Sequence, residues 1–329
     1  MQPKSAAAGV EFVERSSFVR SDTTQKLLAF ASLIVLFVGF SLASPNFARF
    51  NNIVGILLST AVNGILAVGV SFVIVTGGID LSVGTVMTLC SVMTGVVISF
   101  WGLPIPLGIL AGLATGALCG CVNGTCVAKL RLPPFIATLG MMMVSKGLSL
   151  VISGTKPIYF LATPAFRQIA MGTIFGIPYA VFIFFGAAVI ASLILTRTIV
   201  GRYAFALGSN EEAARLSGIN VDRWKIGIYT LEGLFVGLAG IVMASRLNSA
   251  QPALGQGYEL EAIAAVVIGG TSLSGGEGSI LGTIIGAFIM SVLTNGLRIL
   301  SIPQEWQTVV IGIIVILAVY TDILRRQGR

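Results

Sequence analysis

Residues 53–75 read IVGILLSTAVNGILAVGVSFVIV, a run of 23 positions without an Asp, Glu, Lys or Arg. A helix rising 1.5 Å per residue over that length reaches about 35 Å, enough to cross a hydrocarbon core of about 30 Å. Lipid offers no partner for backbone N–H and C=O groups, so a stretch of this kind satisfies them internally, as a membrane-spanning helix. Comparable stretches lie on both sides of it, at 27–44, 82–100, 106–128, 134–153, 178–196, 226–245, 279–297 and 306–321, and seven of the nine carry no charged residue. A shorter apolar piece, 261–273, reads either as a tilted or broken tenth span or as a re-entrant segment shielded by protein. The expected fold class is therefore all-α: a polytopic transmembrane helical bundle of about 10 spans, with broken or re-entrant segments.

Composition agrees with this reading. Of 329 residues, 55% are hydrophobic and 10% charged, against roughly 25% charged in a soluble domain. Arg15, Arg20 and Lys26 precede the first apolar run. That run is too long for a cleaved signal peptide and leads directly into a second span, so a retained helix is expected. The chain then divides into a cytoplasmic leader (1–26), one transmembrane domain (27–322) and a cytoplasmic tail (323–329). With both termini inside, fourteen Lys and Arg residues fall in cytoplasmic segments and five outside, the asymmetry of the positive-inside rule. The net charge of +7 is thus a topology signal, and with no basic stripe interleaved with aromatics a nucleic-acid partner is not expected. Membrane lipid is the solvent.

Cys90, Cys119, Cys121 and Cys126 lie within the candidate spans and read as small packing residues. The chain contains no His and no acidic or Cys cluster with ligand spacing, so neither a metal site, a cofactor nor His-based catalysis is expected. Two loops are long enough to do more than turn the chain: 154–177 outside and 197–225 inside. There is also an internal echo, GGIDLSVG at 77–84 against GGTSLSGG at 269–276, each between apolar segments, as in transporters whose halves carry corresponding broken helices.

The cytoplasmic loop contains GSNEEAARLSGI at 208–219. Ser209 and Glu212 have the spacing of a capping box, Ala213, Ala214, Arg215 and Leu216 favour a helix, and Gly218 can supply a left-handed stop. A two-turn helix over 210–217 follows. Alone in water it would be marginal, so it needs a surface to pack against.

Here the sequence resembles a known family. Glu212-Ala213-Ala214, three residues, then Gly218 look like the "EAA" element of ABC-importer permeases, a coupling helix that docks on the ATPase subunit. The usual downstream Ile-x-Leu-Pro is replaced by Ile-Tyr-Thr-Leu at 228–231, unlike the maltose-type subclass. Instead, GGIDLSVG at 77–84, PFIATL at 134–139, LSGINV at 216–221 and YELEAIAAVVIGG at 258–270 resemble, in order, the ribose/xylose/galactose permease family. The resemblance implies ABC ATPase subunits as partners, a periplasmic or surface-anchored sugar-binding protein, a second permease copy or paralogue, and a sugar substrate. It also implies ATPase coupling through Glu211, Glu212, Ala213, Ala214, Arg215 and Gly218. The ATPase must be a separate chain: LSGGE at 273–277 mimics an ATPase signature, but no Gly-Lys-Ser or Gly-Lys-Thr occurs to cradle phosphate.

Ionisable groups within the bilayer are costly and mark function by default. Asp80, Lys146 and Glu232 qualify. Asp80 either lines the path or caps the helix beginning near Ser82; Lys146 and Glu232 either pair or snorkel. A neutral polyol is handled by amides and hydroxyls, which makes Asn63, Asp80, Ser82, Asn123 and Asn295 candidates for the translocation pathway, with Thr60, Ser71 and Thr138 adding hydroxyls. Small and amide residues beside Gly also serve as packing devices between membrane helices. An ion-coupled secondary transporter, with Asp80 and Glu232 as proton or sodium sites, is the alternative function. No covalent chemistry is assigned to this chain.

Overall fold

A computed structural model describes residues 22–327; the start of the leader and the last two residues of the tail lie outside the described residues. The chain runs α1 (Asp22–Ala43), α2 (Phe50–Val75), α3 (Val83–Gly95, extended by a π-helical turn, Val96–Phe100), α4 (Ile105–Ala128) and α5 (Pro134–Ser153). A stretch of short elements follows, with β1 (Ile158–Tyr159), α6 (Pro164–Met171), β2 (Thr173–Ile174) and β3 (Ile177–Pro178). Next come α7 (Tyr179–Arg197), α8 (Ile199–Ser209), α9 (Glu211–Leu216) and α10 (Val221–Leu247), then β4 (Ser249–Ala250), α11 (Tyr258–Ile268), α12 (Ile280–Ile299) and α13 (Gln304–Gln327). Eight of these helices are long and apolar enough to cross a membrane, and a shorter apolar stretch, Gln304–Tyr320, lies in α13.

The apolar stretch at 261–273 resolves toward its broken-span alternative, since the chain passes from β4 at one end of the bundle, through the turns at 251–257 and α11, to Gly276 at the other end. α11 ends at Ile268 after 11 residues, about 16 Å of helix, half the thickness it would have to cross. Residues 269–279 lead without regular structure to the start of α12.

Burial separates centre from rim. In the most apolar windows of α2 and α3, 72% and 83% of residues are buried, against 6% in α1 and 17% in α5. α2, α3 and α10 form the middle of the bundle, and the core cluster built on Val62, Leu66, Val70, Val86, Met87, Ile228 and Val236 ties them together. Without a hydrophobic force between helices in lipid, close approach and dispersion must hold them. α4 achieves this with glycine at every fourth position, 108, 112, 116, 120 and 124, which puts all five on one face. A Cβ built on Gly116 would lie 2.1 Å from the carbonyl oxygen of Gly233, and one on Gly120 would lie 2.1 Å from that of Tyr229. The backbones of α4 and α10 are in direct contact, with no room for a side chain between them.

The small strands pin the ends of the bundle. β1 pairs antiparallel with β4, Ile158 opposite Ala250, fastening the loop after α5 to the end of α10. At the other end three segments meet backbone to backbone. Gly276 N–H donates to the Val75 carbonyl at 2.9 Å, and a Cβ on Gly208 would fall 1.9 Å from that carbonyl oxygen and 2.4 Å from the Gly276 nitrogen. The end of α2, the end of α8 and the LSGGE turn, once suggestive of an ATPase, therefore form one junction.

Candidate functional site

The short helix α9 is separated from α8 by one extended residue, Asn210 (φ −161°, ψ 102°). Its side-chain oxygen accepts the Ala213 N–H at 2.9 Å, satisfying one of the free donors at a helix start. This shifts the cap anticipated at Ser209: that residue closes α8 and is itself helical, so the Ser209/Glu212 capping box does not form. Glu212 stands exposed in the first turn. Gly218 has φ +85°, the left-handed stop anticipated, and Ile219 N–H closes back on the Ala214 carbonyl at 3.1 Å.

Only Ala214 of α9 is buried, while Leu216 is 84% exposed. Lys225, near the start of α10, donates to Glu211 at 2.6 Å, and Arg215 lies 3.4 Å from Glu211 and 3.8 Å from Asp222. Partial burial works to raise the Glu211 carboxyl, but the hydrogen bond and charge of Lys225, with Arg215, outweigh it and hold the group below the usual carboxylate range. The ion pairs fasten α9 to α10.

The second constellation lies at the break between α2 and α3. Asp80 accepts from both the N–H and the hydroxyl of Ser82 at 2.6 Å and from the Asn123 amide of α4 at 2.9 Å; the same amide reaches the Ser82 hydroxyl at 3.0 Å. Asp80 thus closes an Asx turn over Ser82, the residue before α3, rather than capping the helix, whose start carries no side-chain cap bond. Glu232 of α10 faces Asp80 across a cavity with room for about one water molecule. Both Glu232 carboxyl oxygens are buried, and among the described residues no N–H or O–H donates to them. Lys146 does not pair with Glu232; its ammonium reaches the Gln256 side chain at 3.4 Å.

The other pathway candidates lie apart from this cluster. Asn63, at the middle of α2, donates to Glu261 of α11, and Asn295 sits half-buried near the end of α12, its oxygen without a hydrogen-bond partner among the described residues. Thr60 and Ser71 turn back to carbonyls of their own helix, and Ser71 also meets Thr283 of α12 at 2.8 Å. Sequence reasoning missed Glu261 and the glycine stripe of α4. The stripe was readable as glycine at a strict interval of four; the Glu261 contact joins residues 198 apart in sequence and had no local signal.

A helical bundle with eight helices long and apolar enough to span a membrane, a short capped helix on a long loop, and a buried polar cluster at a helix break are together the marks of a membrane transport subunit. The chain belongs to the family described as the permease component of the branched-chain amino acid transport system, which matches residues 52–319. The ribose import permease protein RbsC of Bacillus subtilis is 45% identical over 300 residues, covering 91% of this chain and 92% of that protein. The fructose import permease protein FrcC of Rhizobium meliloti is 40% identical over 313 residues (93% and 86%), and the xylose transport system permease protein XylH of Escherichia coli 34% over 367 (93% and 93%). No solved structure matches significantly. The protein is a multi-pass permease subunit of an ABC importer in the inner membrane.

Proposed function

We propose that this permease imports a monosaccharide or related polyol handed over by a binding protein, and that a separate ATPase chain drives it by moving α9. The subunit pairs with a second copy or close paralogue and performs no covalent chemistry itself. The observation that carries the reading is the form of α9: a capped two-turn helix with its apolar Leu216 turned outward and its base locked by ion pairs to α10. A helix so short gains its stability from packing, and an outward Leu between charged residues fits a groove on a partner. The relatives are named as ribose and fructose import permeases and a xylose transport permease, which supports a sugar as the solute. In the proposed orientation both termini and residues 197–225 are cytoplasmic.

Orientation is tested first. Asn210→Cys, in a background lacking the native cysteines, is expected to react with a membrane-impermeant thiol reagent in inverted vesicles but not in intact cells; labelling in intact cells would reverse the topology. Coupling is tested by Gly218→Val. A Cβ there meets nothing within 4 Å, so the substitution adds no clash, only the strain of a β-branched residue at positive φ, about 1–2 kcal/mol. Uptake is expected to fall at least tenfold at unchanged permease abundance, with loss of ATPase co-purification. Normal uptake and normal retention of the ATPase would remove α9 from the coupling role.

A further inference from the structure

We infer that the segment between β4 and α11, residues 251–257, lines the solute path in the outer half of the membrane, and that Gln256 and Lys146 of α5 are contact points for the polyol there.

Depth follows from helix arithmetic. Asn63 stands 13 residues from the start of α2 and 12 from its end, so its partner Glu261 lies close to the bilayer midplane. α11 begins only one turn before Glu261. Residues 251–257 therefore descend from β4, at the end of α10, almost to the middle of the bundle in irregular conformation. Such backbone is tolerated at that depth only where protein buries it or water bathes it.

One side of the segment is buried. Gly255 lies so close to Gly84 that a Cβ on it would come 1.9 Å from the Gly84 carbonyl oxygen, and this contact pins the segment to the first turn of α3. Gly84, the last residue of the GGIDLSVG motif, thereby acquires a purpose. The next two residues face the other way: Gln256 is exposed, and a Cβ on Gly257 would meet nothing within 4 Å. Hydrocarbon on that side would strand an amide.

Lys146 supplies an independent observation. It lies 12 residues into the 20-residue α5 and only half-buried, at a depth where an ammonium must find water or a polar partner. The remaining outer face of α5 carries Val144, Leu148 and Val151, all exposed and suited to lipid. Lys146 instead turns toward Gln256. Three ammonium donors beside an amide that both donates and accepts suit a neutral polyhydroxylated solute.

The solute class rests on the function proposed above, whereas water access does not, and the experiment separates them. In the assembled transporter without native cysteines, Gln256→Cys and Lys146→Cys are expected to react with a hydrophilic methanethiosulfonate reagent, while Leu148→Cys stays inert. Inertness of Gln256→Cys equal to that of Leu148→Cys overturns the water-lined path, as does its spontaneous cross-linking to a second copy. Lys146→Met and Gln256→Ala are each expected to lower uptake of limiting sugar by about tenfold and fivefold, respectively, the loss of a charged and of a neutral hydrogen bond. Normal uptake in both, with labelling intact, overturns the solute contact alone. Labelling together with absence of sugar uptake in the parent transporter leaves the path standing and discards the sugar.

Discussion

Replacing Gly116 by Leu is expected to reduce the amount of permease in the membrane more than tenfold. The side chain would begin 2.1 Å from the Gly233 carbonyl oxygen and within 3.1 Å of two further backbone atoms of α10. Backbone in the middle of a long buried helix cannot step aside, so α4 and α10 must separate along their length, costing about 3 kcal/mol or more. The matched control is Gly140→Leu on α5, where a Cβ meets nothing within 4 Å and abundance should hold. Quantitative immunoblotting of membranes decides between them. Equal accumulation of both variants would show that the glycine face of α4 is not needed for close packing.

The second large effect is expected at Asp80. Asp80→Ala deprives the Ser82 N–H, the Ser82 hydroxyl and the Asn123 amide of their shared acceptor in a fully buried place. Each unsatisfied donor costs about 1–3 kcal/mol, so a loss of about 3 kcal/mol follows even if the two side chains partly re-pair. Asp80→Asn keeps an acceptor for Ser82 and should retain most of the stability. The measurement is the apparent melting temperature of the purified permease in detergent for both variants. A value for Asp80→Ala equal to the parent would mean that the break between α2 and α3 is held by something other than this carboxylate.

The spans were legible because hydrophobic length is a local property: α2, α4, α5 and α12 begin and end within three residues of the stretches read from sequence. Positive φ at Gly218 was legible for the same reason, since a helix run followed by glycine is a one-dimensional pattern. The cap was off by one because α8 continues through Ser209, and how far α8 runs is fixed by its packing against α2 and α10. Asp80 was tied to the helix start near Ser82 because both lie in one motif, but nothing local joined Asn123 of α4 to them. Lys146 was offered Glu232 as a partner, since the sequence contains few intramembrane charges to choose from. Its neighbour is an amide in the segment 251–257, which lies outside every candidate span and so attracted no notice.

The backbone junction of Val75, Gly208 and Gly276 constrains how this permease can be re-engineered. Each of the three segments is shaped to the main chain of the other two, with no side chain in between to absorb a mismatch. A coupling loop transplanted from a distant permease would bring its own α8 terminus to a seat cut for glycine. The workable module is therefore discontinuous: residues 199–220 together with 75–78 and 274–277, exchanged as a set. Natural drift meets the same restriction, so these three short stretches are expected to change in concert or not at all.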